Sequence, residues 1–348
     1  MRRNKLNKLM SGTLTIVGAV ILIVIGSGTS AMADRLEQVK NADILHCGIV
    51  PGAPGYAFPD KEGKMIGFDV DFCRAIGAAV LGDDSKIKTT KMALPVAFNA
   101  MKAGTVDVVT HRFTWTFARD VGQGLDFTRV MVYDGQGFMV RKSLGIKTVK
   151  ELDGATFCLA VGTTPQANLA DYFRTHGMTF KQVTFGEMGE AQRAYDSGRC
   201  DAFSSDKYGL GGRRTSMTNP DEHMILAETI SNELISPMVG HGDQNWRDVV
   251  VWVLNSLIAA EEFGITSKNV DDMRKNSKNP FVQRILGVTG NYGAKMGLSD
   301  DWAYNAIKAV GNYGEIWDNH LGKYGLKLDR GKNELYTKGG LMISPPFR

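Results

Sequence analysis

Three short segments of this chain carry residue types able to hold a small zwitterion. Thr114-Trp115-Thr116-Phe117-Ala118-Arg119-Asp120 offers hydroxyls and a guanidinium, and Ser204-Ser205-Asp206 offers a carboxylate. Gly162-Thr163-Thr164 precedes an apparent helix, Gln166 to Arg174. A molecule with a carboxylate and an ammonium on one carbon needs a forked cationic donor for the first and an acid for the second. A Gly-Thr-Thr turn at a helix N-terminus adds backbone N–H groups that suit an anion. Each segment alone has a plain structural reading: Arg119 in a surface ion pair, Asp206 as a helix cap, the turn as an ordinary connection. Their common position just beyond strands favours binding.

No other chemistry stands out. Gly287-Val-Thr-Gly290-Asn-Tyr-Gly293 lacks a P-loop lysine, and Asp69 and Asp71 lack the rest of a calcium loop. The six histidines are scattered, and Ser204-Ser205 has no G-x-S-x-G context. The sequence offers no nucleophile–base pair, and neither a metal nor a cofactor is expected.

The elements that must position these residues read as alternating strands and helices. Residues 44–50 form a strand, ended by Pro51, Gly52, Pro54 and Gly55. Phe68 to Leu81 is a helix, with Phe72, Ile76, Ala79 and Val80 on one apolar face. Val96 to Ala103 is a second helix, and strands follow at 106–109, 156–161 and 200–204. One pattern occurs twice: Ala100-Met-Lys-Ala-Gly104-Thr-Val-Asp107-Val-Val and Ala194-Tyr-Asp-Ser-Gly198-Arg-Cys-Asp201-Ala-Phe. Both read as helix, glycine cap, turn and strand. The economical account is two similar α/β lobes, each a mostly parallel sheet flanked by helices, presenting strand ends to a shared cleft. From about Ser236 the chain is helical, with segments over 246–263 and 301–321, the latter capped by Ser299.

The first residues read as a secretory signal peptide. Arg2, Arg3, Lys5 and Lys8 precede an apolar run over 14–25, and Ala31-Met32-Ala33 is an A-x-A cleavage site. The run is short for a membrane anchor, which needs roughly 20 residues. Cleavage would bring the net charge from +4 to near zero, which leaves no nucleic-acid footprint. The four cysteines, Cys47, Cys73, Cys158 and Cys200, contain no C-x-x-C pair. In an oxidising compartment two disulfides are expected among three connectivities. Spacing favours Cys47–Cys73 and Cys158–Cys200 over a cross-lobe pairing or free thiols.

At these residues the chain resembles the periplasmic general L-amino-acid-binding proteins of polar amino-acid ABC uptake systems, within the type II periplasmic binding fold. The resemblance runs from about Ile44 to Arg348. It is carried by Gly67-Phe-Asp-Val-Asp-Phe-Cys-Arg-Ala, Thr114-Trp-Thr with Arg119-Asp120, and Tyr133-Asp-Gly-Gln-Gly-Phe-Met-Val-Arg-Lys-Ser-Leu-Gly. Tyr195-Asp-Ser-Gly-Arg-Cys-Asp, Ala260-Glu-Glu-Phe-Gly-Ile-Thr and the terminal Pro-Pro-Phe-Arg add to it. The resemblance implies that Arg119, helped by Thr114 and Thr164, clamps an α-carboxylate, that Asp206 takes the α-ammonium, and that Tyr56 lies over the ligand. It implies a hinge crossed twice, with residues 34–137 and 236–348 as lobe 1 plus a C-terminal helical extension, and 138–235 as lobe 2. It also implies a monomer that delivers free L-amino acids to a membrane permease. The chain departs from the family at Thr110-His111-Arg112-Phe113, where Ser-Arg-Asn-Thr is usual, and at Pro165. Bulk from Phe113 and charge from Arg112 predict small polar or acidic ligands over basic ones. The alternative from another class is a periplasmic dehydratase-like enzyme of the same fold acting on prephenate-like acids.

Overall fold

A computed structural model describes residues 34–348, and the signal peptide expected over residues 1–33 lies outside the described residues. Two five-stranded sheets organise the chain. The first runs Ile87–Lys91, Leu45–Ile49, Val108–Val109, Met238–Gly240, Leu125–Phe127; the second runs Lys181–Phe185, Thr156–Ala160, Ala202–Asp206, Gln136–Arg141, His223–Ile225. In each, the first three strands are parallel, the fourth runs antiparallel to them, and the fifth pairs antiparallel with the fourth and so runs with the first three. The switch marks where the chain passes between sheets. Beside that passage, Val132–Asp134 and Glu233–Ile235 form a two-stranded antiparallel ribbon.

The repeated Gly-x-x-Asp pattern has one mechanical role in both sheets. The Asp107 carboxylate accepts the His46 N–H at 2.7 Å, and its own N–H donates to the His46 carbonyl at 2.8 Å. Asp201 does the same with Thr156, at 2.8 and 2.9 Å. Each aspartate therefore clips the start of the central strand to its neighbour and fixes their register. Gly104 and Gly198 precede them at φ +67° and +86°, the left-handed conformation that ends the helix before.

Helix Phe68–Leu81 forms as expected, but it is buried around most of its circumference. It lies closely against helix Trp302–Val310, with Ala75, Ile76 and Ala79 in one core cluster with Ala303, Ala306 and Ile307, while Phe68 meets Tyr313 and Trp317 edge to face at 5.8 and 6.0 Å. Such pairs add about 0.5–1.5 kcal/mol each beyond area burial. The single helix read over 301–321 is in fact two, Trp302–Val310 and Tyr313–His320. Gly311 turns at φ +84°, and Asn312 and Glu315 cap the second helix reciprocally. The first is capped at Asp301 rather than Ser299. Among the described residues no helix is long and apolar enough to cross a membrane.

Both disulfides, Cys47–Cys73 and Cys158–Cys200, lie within one lobe each. They close segments of 26 and 42 residues, for which loop-closure entropy gives about 3.5 and 4 kcal/mol. Replacing both cysteines of either bridge with alanine should lower stability by about 2–4 kcal/mol in urea unfolding. An unchanged midpoint would contradict a structural role for that bridge.

Candidate functional site: a charged cleft between two sheets

A cavity of about 510 Å³ opens between the two sheets, walled on one side by residues following Leu45–Ile49, Ile87–Lys91 and Val108–Val109, and on the other by residues following Thr156–Ala160, Lys181–Phe185 and Ala202–Asp206. Strand ends thus converge on it from both lobes, the position where open α/β sheets take ligands.

Asp206 occupies the N-cap position of helix Lys207–Arg214, yet its side chain makes no capping bond. Asp134, on the ribbon between the sheets, caps that helix instead. Its Oδ1 accepts the N–H groups of Gly135 at 2.7 Å and Lys207 at 3.1 Å, and its Oδ2 that of Tyr208 at 3.1 Å. The Asp206 carboxylate is thereby left facing the cleft, buried and with Oδ1 unpartnered. Burial first, then the Glu233 charge, pushes its pKa up to about 6.

Arg119, on the opposite wall, is half-buried and among the described residues forms no ion pair within 4 Å. One Nη donates to the Thr114 carbonyl at 3.0 Å, and the guanidinium lies 5.8 and 5.9 Å from the ring centres of Phe98 and Phe113. Burial lowers its pKa, opposed by Glu233 and Asp206. Neither plain reading survives: Arg119 is not in a surface ion pair, and Asp206 is not the helix cap.

The threonines are organised by a residue that the sequence did not single out. Glu233 is buried on the ribbon, and its Oε2 accepts both the Thr114 hydroxyl and the Thr164 hydroxyl, the latter at 3.0 Å; Oε1 accepts from Asn168 at 2.7 Å and Ser231 at 2.5 Å. Thr163 donates to the Ala160 carbonyl at 2.8 Å. A carboxylate or carbonyl only accepts. All three hydroxyl protons are therefore committed inward, and these threonines present lone pairs to the cleft. In this geometry the Arg119 guanidinium, and not the hydroxyls of Thr114 and Thr164, is the side-chain donor that this part of the cleft offers. Pro165 removes one more N–H from the turn.

Tyr56 and Phe113 do not line the cavity. Phe113 sits in the core against Phe98 and His111, so its bulk does not narrow the ligand space. Tyr56 is buried beneath Arg112, whose guanidinium lies 4.7 Å from its ring centre. Arg112 lines the cavity and bridges the lobes, reaching helix Lys207–Arg214 at Gly209, where any Cβ would collide with it. Asp69 and Asp134 lie behind it, but burial pushes their pKa values up to about 7 and about 8, so they offset its charge only weakly. His111 also lines the cleft and is held neutral by burial first and by Arg112 next. Arg213, Arg193, Lys91 and Glu187 complete the charged lining.

Residues 45–275 match the model of the bacterial extracellular solute-binding proteins, family 3. The general L-amino acid-binding periplasmic protein AapJ of Rhizobium johnstonii is 46% identical over 345 residues, covering 98% of this chain and 99% of that one. The glutamate/glutamine/aspartate/asparagine-binding protein BztA of Rhodobacter capsulatus is 45% identical, covering 95% and 98%. A periplasmic binding protein from Brucella ovis, solved with glutathione bound, is 44% identical and superposes with a TM-score of 0.89 over 91% of this chain and all of that one. The chain belongs to the family 3 bacterial extracellular solute-binding proteins. Its fold is the two-lobed type II periplasmic binding architecture, and it is a periplasmic solute-binding protein rather than an enzyme, which sets aside the dehydratase-like alternative.

Asp69 supplies a test of the site's electrostatics. It is fully buried beside His111 and Arg112, neither oxygen has a hydrogen-bond partner, and burial pushes its pKa up to about 7. A raised folded pKa means that the folded state holds a proton the unfolded state has lost. The associated stability is present below the unfolded value and lost as pH rises through about 7. The unliganded protein should therefore lose stability between pH 5 and pH 8, and Asp69→Asn, which cannot ionise, should flatten that decline. Identical pH slopes in thermal unfolding of the two proteins would contradict the assignment.

Proposed function

We propose that the cleft captures free L-amino acids, with Arg119 on the α-carboxylate and Asp206 on the α-ammonium. As the solute-binding component of an amino-acid ABC importer, the protein delivers its ligand to a membrane permease. The observation that carries the reading is the freed Asp206 carboxylate: a buried acid without a hydrogen bond on Oδ1 stands across the cleft from an arginine without an acid. Such an arrangement is costly while empty, and an α-amino acid supplies both missing charges at once. The inward commitment of the threonine hydroxyls fits the same polarity, since their lone pairs suit an ammonium better than a carboxylate.

On this reading residues 34–137 and 236–348 move as one lobe and 138–235 as the other, closing about the two strand crossings. The lone pairs of Thr114, Thr163 and Thr164 and the body of Arg112 shape the ligand space, and Tyr56 and Phe113 act from the layer behind. The protein works as a monomer, and a near-neutral mature chain gives nucleic acid nothing to bind.

Arg119→Ala should weaken L-amino-acid binding by about 30-fold to several thousand-fold, because one partner of a buried charge pair is removed. A calorimetric loss below tenfold would remove Arg119 from the carboxylate role. Asp206→Asn should weaken amino acids far more than the matching α-hydroxy acids, which lack the ammonium. Equal losses for the two ligand types would refute the ammonium assignment.

A further inference from the structure

We propose that the cleft holds a second anion subsite, centred on Arg213 and edged by Arg193, that takes a distal carboxylate of an amino-acid-derived ligand. The inference rests on the amino-acid reading above and extends it to the substrate class.

The charge balance of the cleft leads to it. Five cations line the cavity, Lys91, Arg112, Arg119, Arg193 and Arg213, against two carboxylates, Glu187 and Asp206. An amino-acid head engages Arg119 and Asp206. Arg112 is held over the Tyr56 ring and against Gly209, which fixes its guanidinium as a bridge between the walls. Glu187 is committed to capping helix Met188–Asp196. Arg213 is left over, and it is only 2% exposed. Its Nη1 donates to the neutral Gln192 Oε1 at 3.0 Å, and among the described residues its Nε has no partner and no carboxylate lies within ion-pair distance. Seven residues after Asp206, it lies two helical turns along the same face. Burial first, then Arg112, lowers its pKa to about 9, opposed by Asp206, which the amino-acid head would engage. Buried cations are almost always paired, so the missing anion here is one that the ligand brings. Arg193, on the neighbouring helix, is exposed and carries no ion pair, which keeps that wall positive.

The size of the cleft agrees. About 510 Å³ equals the liquid volume of roughly seventeen waters, which leaves room beyond an amino-acid head. The distal carboxylate has two chemical sources: the side chain of an acidic amino acid, or the C-terminus of a γ-linked glutamyl peptide. The guanidinium is not needed as a structural tether, because Gln192 is also held by the Arg213 carbonyl at 3.3 Å and the Ser216 hydroxyl at 3.0 Å.

Calorimetry on the mature protein tests the subsite with two matched pairs: glutamate against glutamine, and a γ-glutamyl tripeptide against its C-terminal amide. In at least one pair the acid should bind at least tenfold tighter than its amide. Arg213→Met should bring that ratio to within about twofold by weakening the acid far more than its amide, and Arg213→Lys should restore part of it. Should Arg213→Met fail to fold, Arg193→Met at the exposed rim should still lower the ratio severalfold. Discrimination in the glutamate pair alone assigns the side-chain source, and in the tripeptide pair alone the peptide terminus. Equal binding of acid and amide in both pairs, or equal loss of both forms in Arg213→Met, overturns the subsite and leaves the amino-acid reading standing. Failure of every amino acid and peptide to bind would overturn both.

Discussion

Asp134 sits on the ribbon where the chain crosses between sheets, and its two carboxylate oxygens hold the N-terminus of helix Lys207–Arg214. That anchorage sets the direction of the helix that begins beside Asp206, and it removes the usual task of an aspartate at an N-cap. The Asp206 carboxylate is available to the cleft because another acid performs the structural work. Glu233, on the other strand of the ribbon, reaches both walls of the cleft, fixing Thr114 on one and Thr164 and Asn168 on the other. Both organising acids therefore lie on the segment that joins the lobes, and the geometry of the cleft is coupled to the geometry of that joint. Movement of the ribbon moves the helix bearing Asp206 and Arg213 and the threonines together.

Beneath the cleft, the two lobes repeat one construction. A central strand is clipped at its start by an aspartate from the next strand and tied by a disulfide to an element of the same lobe: Cys47 to helix Phe68–Leu81, and Cys158 to the turn before Ala202–Asp206. Under the proposed closure, lobes braced in this way would confine deformation to the ribbon. A bridge between lobes would have opposed that division, and both bridges avoid it.

Much of this was legible from residue types alone. The Gly-x-x-Asp echo marked both central strand pairs because a turn that must end a helix, reverse and clip a strand tolerates few residues. Arg119 and Asp206 stood out because they follow those strands directly. Arg213 was hidden by its setting: Lys207-Tyr-Gly-Leu-Gly-Gly-Arg-Arg reads as a poor helix, yet its glycines are required by close approach, Gly209 to Arg112 and Gly212 to the Pro54 carbonyl. An i, i+7 count from Asp206 would have found it. The break within 301–321 was signalled by Asn312-Tyr-Gly-Glu315, a capping box preceded by glycine. The roles of Asp134 and Glu233 left no local mark, because each acts on groups more than 60 residues away in sequence. Arg112 was visible as a charge, but the acids that lie behind it were not.

The account's central claim is that an α-amino acid completes an interrupted ion pair across the cleft. A crystal structure of the mature protein with a bound L-amino acid tests it most directly. The account predicts the α-ammonium within hydrogen-bond distance of the Asp206 carboxylate and the α-carboxylate on the Arg119 guanidinium, with Asp134 still capping helix Lys207–Arg214. A ligand bound in the reverse orientation, or an Asp206 side chain turned back onto its own helix in the complex, would contradict it.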